Sequence, residues 1–340
     1  MVKFGRPVMV IAHRGASAWR PEHTLEAYAK AIADGADAIE PDLVSTRDGF
    51  LVARHENEIS STTDVARRPE FASRRADKLI DGQSVSGWFT EDFTLTELRT
   101  LRALERLPLL RSTAYDGRFT VPTLGEIIKL IASESEQRGR VIGIVPELKH
   151  STYFASIGLT MEDCLLEALS AHPYTRSAPV LIQSFEVGNL RYLREKLGTG
   201  HRNVELMQLL GAADRQPYDV VVAQRATTYG EMSSPQGLRE IAGYADVVGV
   251  HKRSLALQLD GGRPRSALVE ASHAASLQVV AYTFRPENQF LGESFKDDGS
   301  PAARNEDGSI REMRAYIDAG IDGLFTDDPA LGRRAVDAGR

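Results

Sequence analysis

Four short groups of residues carry side chains that can do chemistry: His13-Arg14-Gly15, Glu40-x-Asp42, His55 and Glu147-x-Lys149. Glu40 and Asp42 are two apart, so on a strand both carboxylates point to one face. Side by side they repel unless a cation or a shared proton resolves them, and Glu147 adds a third. Three oxygen donors with no thiolate nearby suit Mg²⁺ or Ca²⁺ better than zinc. The competing reading is structural, with the carboxylates paired to Arg14 and Lys149. Two histidines beside the cluster favour the metal. An imidazole pKa of ~6.5 lets one ring be neutral and the other charged near neutrality, as a paired general base and acid require. Arg14 offers a planar fork suited to phosphate oxygens, and Lys149 a point charge. An anion, a divalent cation and two imidazoles together describe phosphoester cleavage. Gly15 lets the backbone turn sharply where a ligand approaches, although a plain turn explains it equally well.

These groups need a scaffold that brings them to one mouth. Short apolar, β-branched runs recur along the chain with helix-like stretches between most of them: 8–12, 37–43, 141–148, 179–183, 204–208, 246–250, 278–284 and 322–326. Eight such runs predict a closed (β/α)8 TIM barrel, an α/β fold whose active sites form at the C-terminal ends of the strands. The capping boxes Thr94-x-x-Glu97 and Thr123-x-x-Glu126 announce helices, the first over about 94–104. Leu124, Ile127, Ile128 and Ile131 then share one helical face. A ninth run, 50–55, follows its predecessor after only Arg47-Asp48-Gly49, which predicts an antiparallel hairpin. If Asp48 and Gly49 are the turn, Asp42 lies opposite His55. Residues 56–120 are polar and turn-rich and read as an insertion on the barrel rim after that hairpin, within one domain spanning 1–340. A second loop covers 285–310.

Softer candidates each have two readings. Glu22 extends the site or is a loop carboxylate near a helix start. Gln183 and Gln208 face the mouth or satisfy local backbone. Tyr282 and Phe284 share a strand face and wall a glycerol-sized pocket, or pack the barrel. Trp88 and Phe89 cap the mouth or anchor the insertion. His251-Lys252-Arg253 contacts a polar head group or is solvated, and Asp327-Asp328-Pro329 serves the site or caps a helix. Cys164, the single cysteine, reads as a small buried helix residue and excludes both an internal disulfide and a zinc–thiolate site.

The bulk numbers bound the partners. With 41 basic and 47 acidic residues the net charge is -6, so no chain-wide field favours nucleic acid or an anionic membrane. No apolar stretch at the N-terminus is long enough for a signal peptide or a span. The expectation is a soluble protein acting on a small molecule without stable membrane insertion, cytoplasmic as the chain stands, periplasmic or secreted if a leader has been removed.

Taken together, HRGAS with PEHTLEAY, AIEPDLVSTRDGFLVARHE, PELK and GLFTDDP resemble the glycerophosphodiester phosphodiesterases, in the bacterial GlpQ-like branch with a barrel insertion. The resemblance spans nearly the whole chain. It implies that Glu40, Asp42 and Glu147 hold one divalent cation, Ca²⁺ or Mg²⁺, that His13 and His55 are the acid/base pair, and that Arg14 and Lys149 contact phosphate. Gln183 and Tyr282 join them as candidate substrate contacts. It further implies attack by the substrate's own neighbouring hydroxyl, giving a cyclic phosphate that water opens to glycerol 3-phosphate, with release of an alcohol such as choline. Three alternatives share parts of this pattern. A lysophospholipase D would need a greasy entrance, a metal-free phosphatidylinositol-specific lyase a positive residue in place of the ion, and a non-catalytic barrel module a lost histidine or carboxylate.

Overall fold

The computed structural model describes residues 8–198, 200–261 and 263–338. The N-terminal residues 1–7, on which the reading of a missing leader partly rests, lie outside the described residues, as do the last two.

Eight parallel strands close into a barrel. They are Met9–Ala12, a second strand in two pieces (Ala38–Ile39 and Asp42–Ser45), a third likewise (Gly143–Ile144 and Glu147–Leu148), Val180–Ser184, Val204–Leu210, Val247–His251, Gln278–Phe284 and Gly323–Thr326. Each pairs with the next, and the last returns to the first with Met9 opposite Gly323 and Ala12 opposite Thr326. Strands two and three are interrupted at Glu40-Pro41 and Val145-Pro146, since proline has no N–H to give a ladder. A helix follows each strand, beginning with Leu25–Ala33 after the first and ending with Pro329–Asp337 after the eighth. Both capping boxes form. Ile127, Ile128 and Ile131 join the layer between helices and barrel, whereas Met9, Ile11, Leu181, Met207 and Phe325 fill the barrel itself.

Five expectations need correction. The hairpin register is one residue off: Leu43 pairs with Ala53 and Ser45 with Leu51, which puts Arg54 opposite Asp42. The cause is a three-residue loop closed by Thr46 and Phe50, with Gly49 at φ +81°, in place of a two-residue turn. The helix expected over 94–104 stops at Leu98. The polar stretch after His55 carries a hairpin, Ala76–Ile80 with Gln83–Gly87, turning at its own Asp81-Gly82. Tyr282 and Phe284 do not share a face. A register shift against the last strand falls between Ala281 and Phe284, so Phe284 turns outward onto Tyr316. Cys164 is only half-buried, its Sγ 3.6 Å from the Thr160 carbonyl.

Candidate active site

The first strand ends where Arg14 and Gly15 adopt φ +60° and +90° in succession. A side chain at Gly15 would place its Cβ 2.8 Å from Ala27 Cβ, so the glycine is required for close approach as well as for φ. This turn delivers His13 and Arg14 to the mouth, and the Arg14 backbone N–H donates to Glu40 Oε2 at 3.0 Å.

Glu40, Asp42 and Glu147 come together as expected: one oxygen from each lies within 4.8 Å of the others, and all three residues are buried. Burial, Asp42 and Glu147 push the Glu40 carboxyl well above the usual range. Burial and Asp42 raise Glu147 to about 7 against the pull of Lys149. Asp42 goes the other way despite its burial, because His23 Nε2 sits 2.9 Å from Oδ2. Its Oδ1 is buried with no partner. Three converging carboxylates, two of them costly to ionise and one with an unused oxygen, form a donor set that fits a divalent hard cation.

The ion pairs of the competing reading are also present. Lys149 Nζ donates to Glu147 Oε1 at 2.9 Å, and Arg14 NH1 to Glu22 Oε2 at 3.0 Å with Nε 3.6 Å from Asp42. Both cations stay charged; Arg14 opens on the cavity described next, and Lys149 lines the one beside it.

His13 and His55 line one cavity of about 340 Å³ together with Arg14, Glu40, Glu147 and Gln183. His13 Nδ1 meets Asp327 Oδ1 at 2.5 Å, and His55 Nδ1 meets Glu56 Oε1. A carboxylate only accepts, so Nδ1 is the donor and Nε2 is left for the cavity. His55 Nε2 lies 3.4 Å from Lys149 Nζ. Burial and Arg14 lower both imidazoles, to about 4 for His13 and about 3 for His55, where Lys149 adds to the effect.

The softer candidates divide. Gln183 donates to Glu40 Oε1 at 2.8 Å, while Gln208 is spent on the Ser184, Phe185 and Leu209 carbonyls and the Tyr244 hydroxyl. The Tyr282 ring lines the cavity with its hydroxyl tied to the Leu210 carbonyl at 2.6 Å. Glu22 is buried between Arg14 and Arg106. His251, Lys252 and Arg253 reach the cavity wall, with Lys252 paired to Glu312 at 2.6 Å. Asp327 belongs to the site, whereas Asp328 caps the last helix. Trp88 and Phe89 anchor the 56–120 segment, Trp88 through Phe71 and Phe89 under Lys78. The sequence reading missed His23 and Glu56. Glu56 adjoins His55, a signal within reach; His23 lies in the quoted PEHTLEAY, but its partner Asp42 is evident only in the fold.

Fold and site define a (β/α)8 barrel whose mouth gathers Arg14, two imidazoles and a cluster of carboxylates. The glycerophosphoryl diester phosphodiesterase family profile matches residues 13–331. A glycerophosphodiester phosphodiesterase of Arabidopsis thaliana is 34% identical over 93% of this chain and 82% of its own length. A solved structure from Silicibacter pomeroyi superposes with a TM-score of 0.66 at 22% identity, covering 98% of this chain and 95% of that one. An Oleispira antarctica phosphodiesterase, solved with the product sn-glycerol-3-phosphate, gives 0.59 at 20% identity over 97% and 96%. The chain belongs to the glycerophosphodiester phosphodiesterase family, and it is a hydrolase of glycerophosphodiesters.

Proposed function

We propose that the chain cleaves glycerophosphodiesters such as glycerophosphocholine to glycerol 3-phosphate and an alcohol, with His13 and His55 as the acid/base pair. The observation that carries this is that two members of a three-carboxylate cluster, Glu40 and Glu147, line one cavity with two Nδ1-tethered imidazoles. The product complex of the Oleispira relative supports glycerol 3-phosphate as the product side. Glu40, Asp42 and Glu147 hold a single Ca²⁺ or Mg²⁺, which when bound supplies positive charge against the phosphoryl oxygens.

Arg14 and Lys149 orient the phosphate, each able to turn from its carboxylate toward the stronger acceptor. The substrate's neighbouring hydroxyl attacks phosphorus while one imidazole takes its proton at Nε2 and the other, which must first be protonated at Nε2 against its lowered pKa, gives that proton to the departing alcohol. In the second step the roles exchange, and water opens the cyclic phosphate. Holding the hydroxyl in line can lower the barrier by several kcal/mol, up to ~7 to 11 in favourable cases. Gln183 aligns Glu40, and the Tyr282 ring walls the glycerol. Residues 56–120 act as a rim insertion of the one catalytic domain.

The test is release of glycerol 3-phosphate from glycerophosphocholine before and after chelation, with Mg²⁺ or Ca²⁺ restored. Loss on chelation and recovery with one ion is expected; release that survives chelation overturns the metal assignment. His13→Ala and His55→Ala should each lower kcat by ~10²–10⁴ with the metal titration unchanged. Retained turnover in either removes that residue from the pair.

A further inference from the structure

We propose that residues 105–111 form a positioning clamp for both imidazoles, Arg106 holding the Glu56–His55 pair and Arg111 the Asp327–His13 pair; this rests on the acid/base reading above. Each histidine is tethered through Nδ1 to a carboxylate, and each carboxylate is gripped from its other side by an arginine of this one segment. Arg111 NH2 donates to Asp327 Oδ2 at 2.6 Å. Arg106 NH2 donates to Glu56 Oε2 at 2.5 Å and NH1 to Oε1 at 3.2 Å.

Neither arginine is a loosely placed surface cation. Arg106 also forks onto Glu22 at 2.8 and 2.7 Å, and Arg111 onto Glu287 at 2.7 and 3.2 Å while donating to the Ser17 carbonyl at 3.0 Å. Bidentate pairs of this kind fix direction as well as charge. The side chains of Arg111, Glu287 and Asp327 are 6%, 5% and 3% exposed. Behind His13, among Glu22, Arg106, Arg111 and Asp327, only about 10 Å³ is open, at the lower limit for one water. Solvent therefore has little room to replace the Arg111 guanidinium, whereas the Arg106–Glu56 pair is more open, its side chains 24% and 37% exposed, and relies on the double fork.

The two arginines are spaced by a single turn in which Leu110 and Arg111 donate to the Leu107 carbonyl. That turn is itself pinned, by Leu104 N–H to the Thr62 carbonyl and Glu105 N–H to Asp116 Oδ1. One short stretch thus connects the loop after strand one, the end of the hairpin, the loop after strand seven and the end of strand eight. The groups facing His13 are Asp327, Arg14 and Arg285; those facing His55 are Glu56, Arg14, Lys149 and Asp42. Removing Arg106 leaves Glu56 without its arginine, and removing Arg111 leaves Asp327 with Arg285 alone, whose Nε is 3.3 Å from Oδ2; in each case the carboxylate's pull on the imidazole proton rises.

The experiment compares Arg106→Met, Arg111→Met, the two lysine variants and Arg99→Met, an exposed arginine paired with Glu126, on the full metal-loaded chain. Each methionine variant should lower kcat tenfold or more with KM for glycerophosphocholine within about threefold. It should also move to higher pH the limb of the kcat profile that its own imidazole sets, the acid limb for the base and the alkaline limb for the acid, since that imidazole becomes easier to protonate. Lysine variants, which keep the charge and lose the fork, should return the limb toward its original position, and Arg99→Met should change nothing. If the methionine variants do not fold, as read by circular dichroism, the lysine variants decide through kcat alone, which should still fall. A raised KM at unchanged kcat, or an unmoved profile with full kcat, overturns the clamp. Active His13→Ala or His55→Ala enzyme would instead overturn the acid/base reading, so the two failures are distinguishable.

Discussion

At Glu147 a proton would compete with the proposed metal ion for the same oxygens. Burial and Asp42 lift its carboxyl to about 7. In the metal-free fold that raised value costs nothing below the unfolded carboxyl pKa of ~4.3 and costs progressively more as pH rises toward about 7. A divalent cation must expel this proton below pH 7, so calorimetric titration should show affinity falling about tenfold per pH unit for each proton displaced. Glu147→Gln should flatten that dependence and weaken binding; an unchanged titration would show that Glu147 is not a ligand. The carboxylates and histidines were legible in the sequence because their spacing and type carry the chemistry. Asp327 was legible only as an ambiguous motif, since its partner His13 lies 314 residues away.

Among the elements, the turn after strand one is the most sensitive to a single atom. Gly15→Ala would push a methyl to 2.8 Å from Ala27 at φ +90°, displacing Arg14 and the helix Leu25–Ala33. We expect kcat to fall at least tenfold, with ~1–3 kcal/mol lost in a denaturant titration, typical of overpacking. A variant with unaltered midpoint and turnover would show that the turn has slack. The hairpin shows why element boundaries read better than register. Asp48-Gly49 correctly announced a turn, yet one extra loop residue shifted every pairing by one. His55 still reaches the mouth because the strand ends at Ala53, after which Arg54 is buried against the Glu22 and His23 carbonyls. Alternation says nothing about where pairing stops.

For the whole molecule, the proposed cation, held by Glu40 and Asp42 on strand two and Glu147 on strand three, would be a cross-link between neighbouring staves of the barrel. At a concentration of 100 Kd it should add ~2.7 kcal/mol to stability, seen as a higher melting temperature that the Glu40→Gln/Asp42→Asn/Glu147→Gln variant does not show. The barrel was legible from eight apolar runs, because buried parallel strands must be apolar wherever they occur. The hairpin within 56–120 was not, because its strand Gln83–Gly87 is short, polar and mostly exposed.

The closure of strand eight on strand one has a consequence for synthesis of the chain. By the time residue 149 has emerged from the ribosome, the nascent polypeptide holds both imidazoles and all three carboxylates. It still lacks the partner strand Gly323–Thr326 and the Asp327 that tethers His13. The complete constellation thus arrives only once residue 327 has followed, so a product terminated before it carries these side chains without the geometry that joins them.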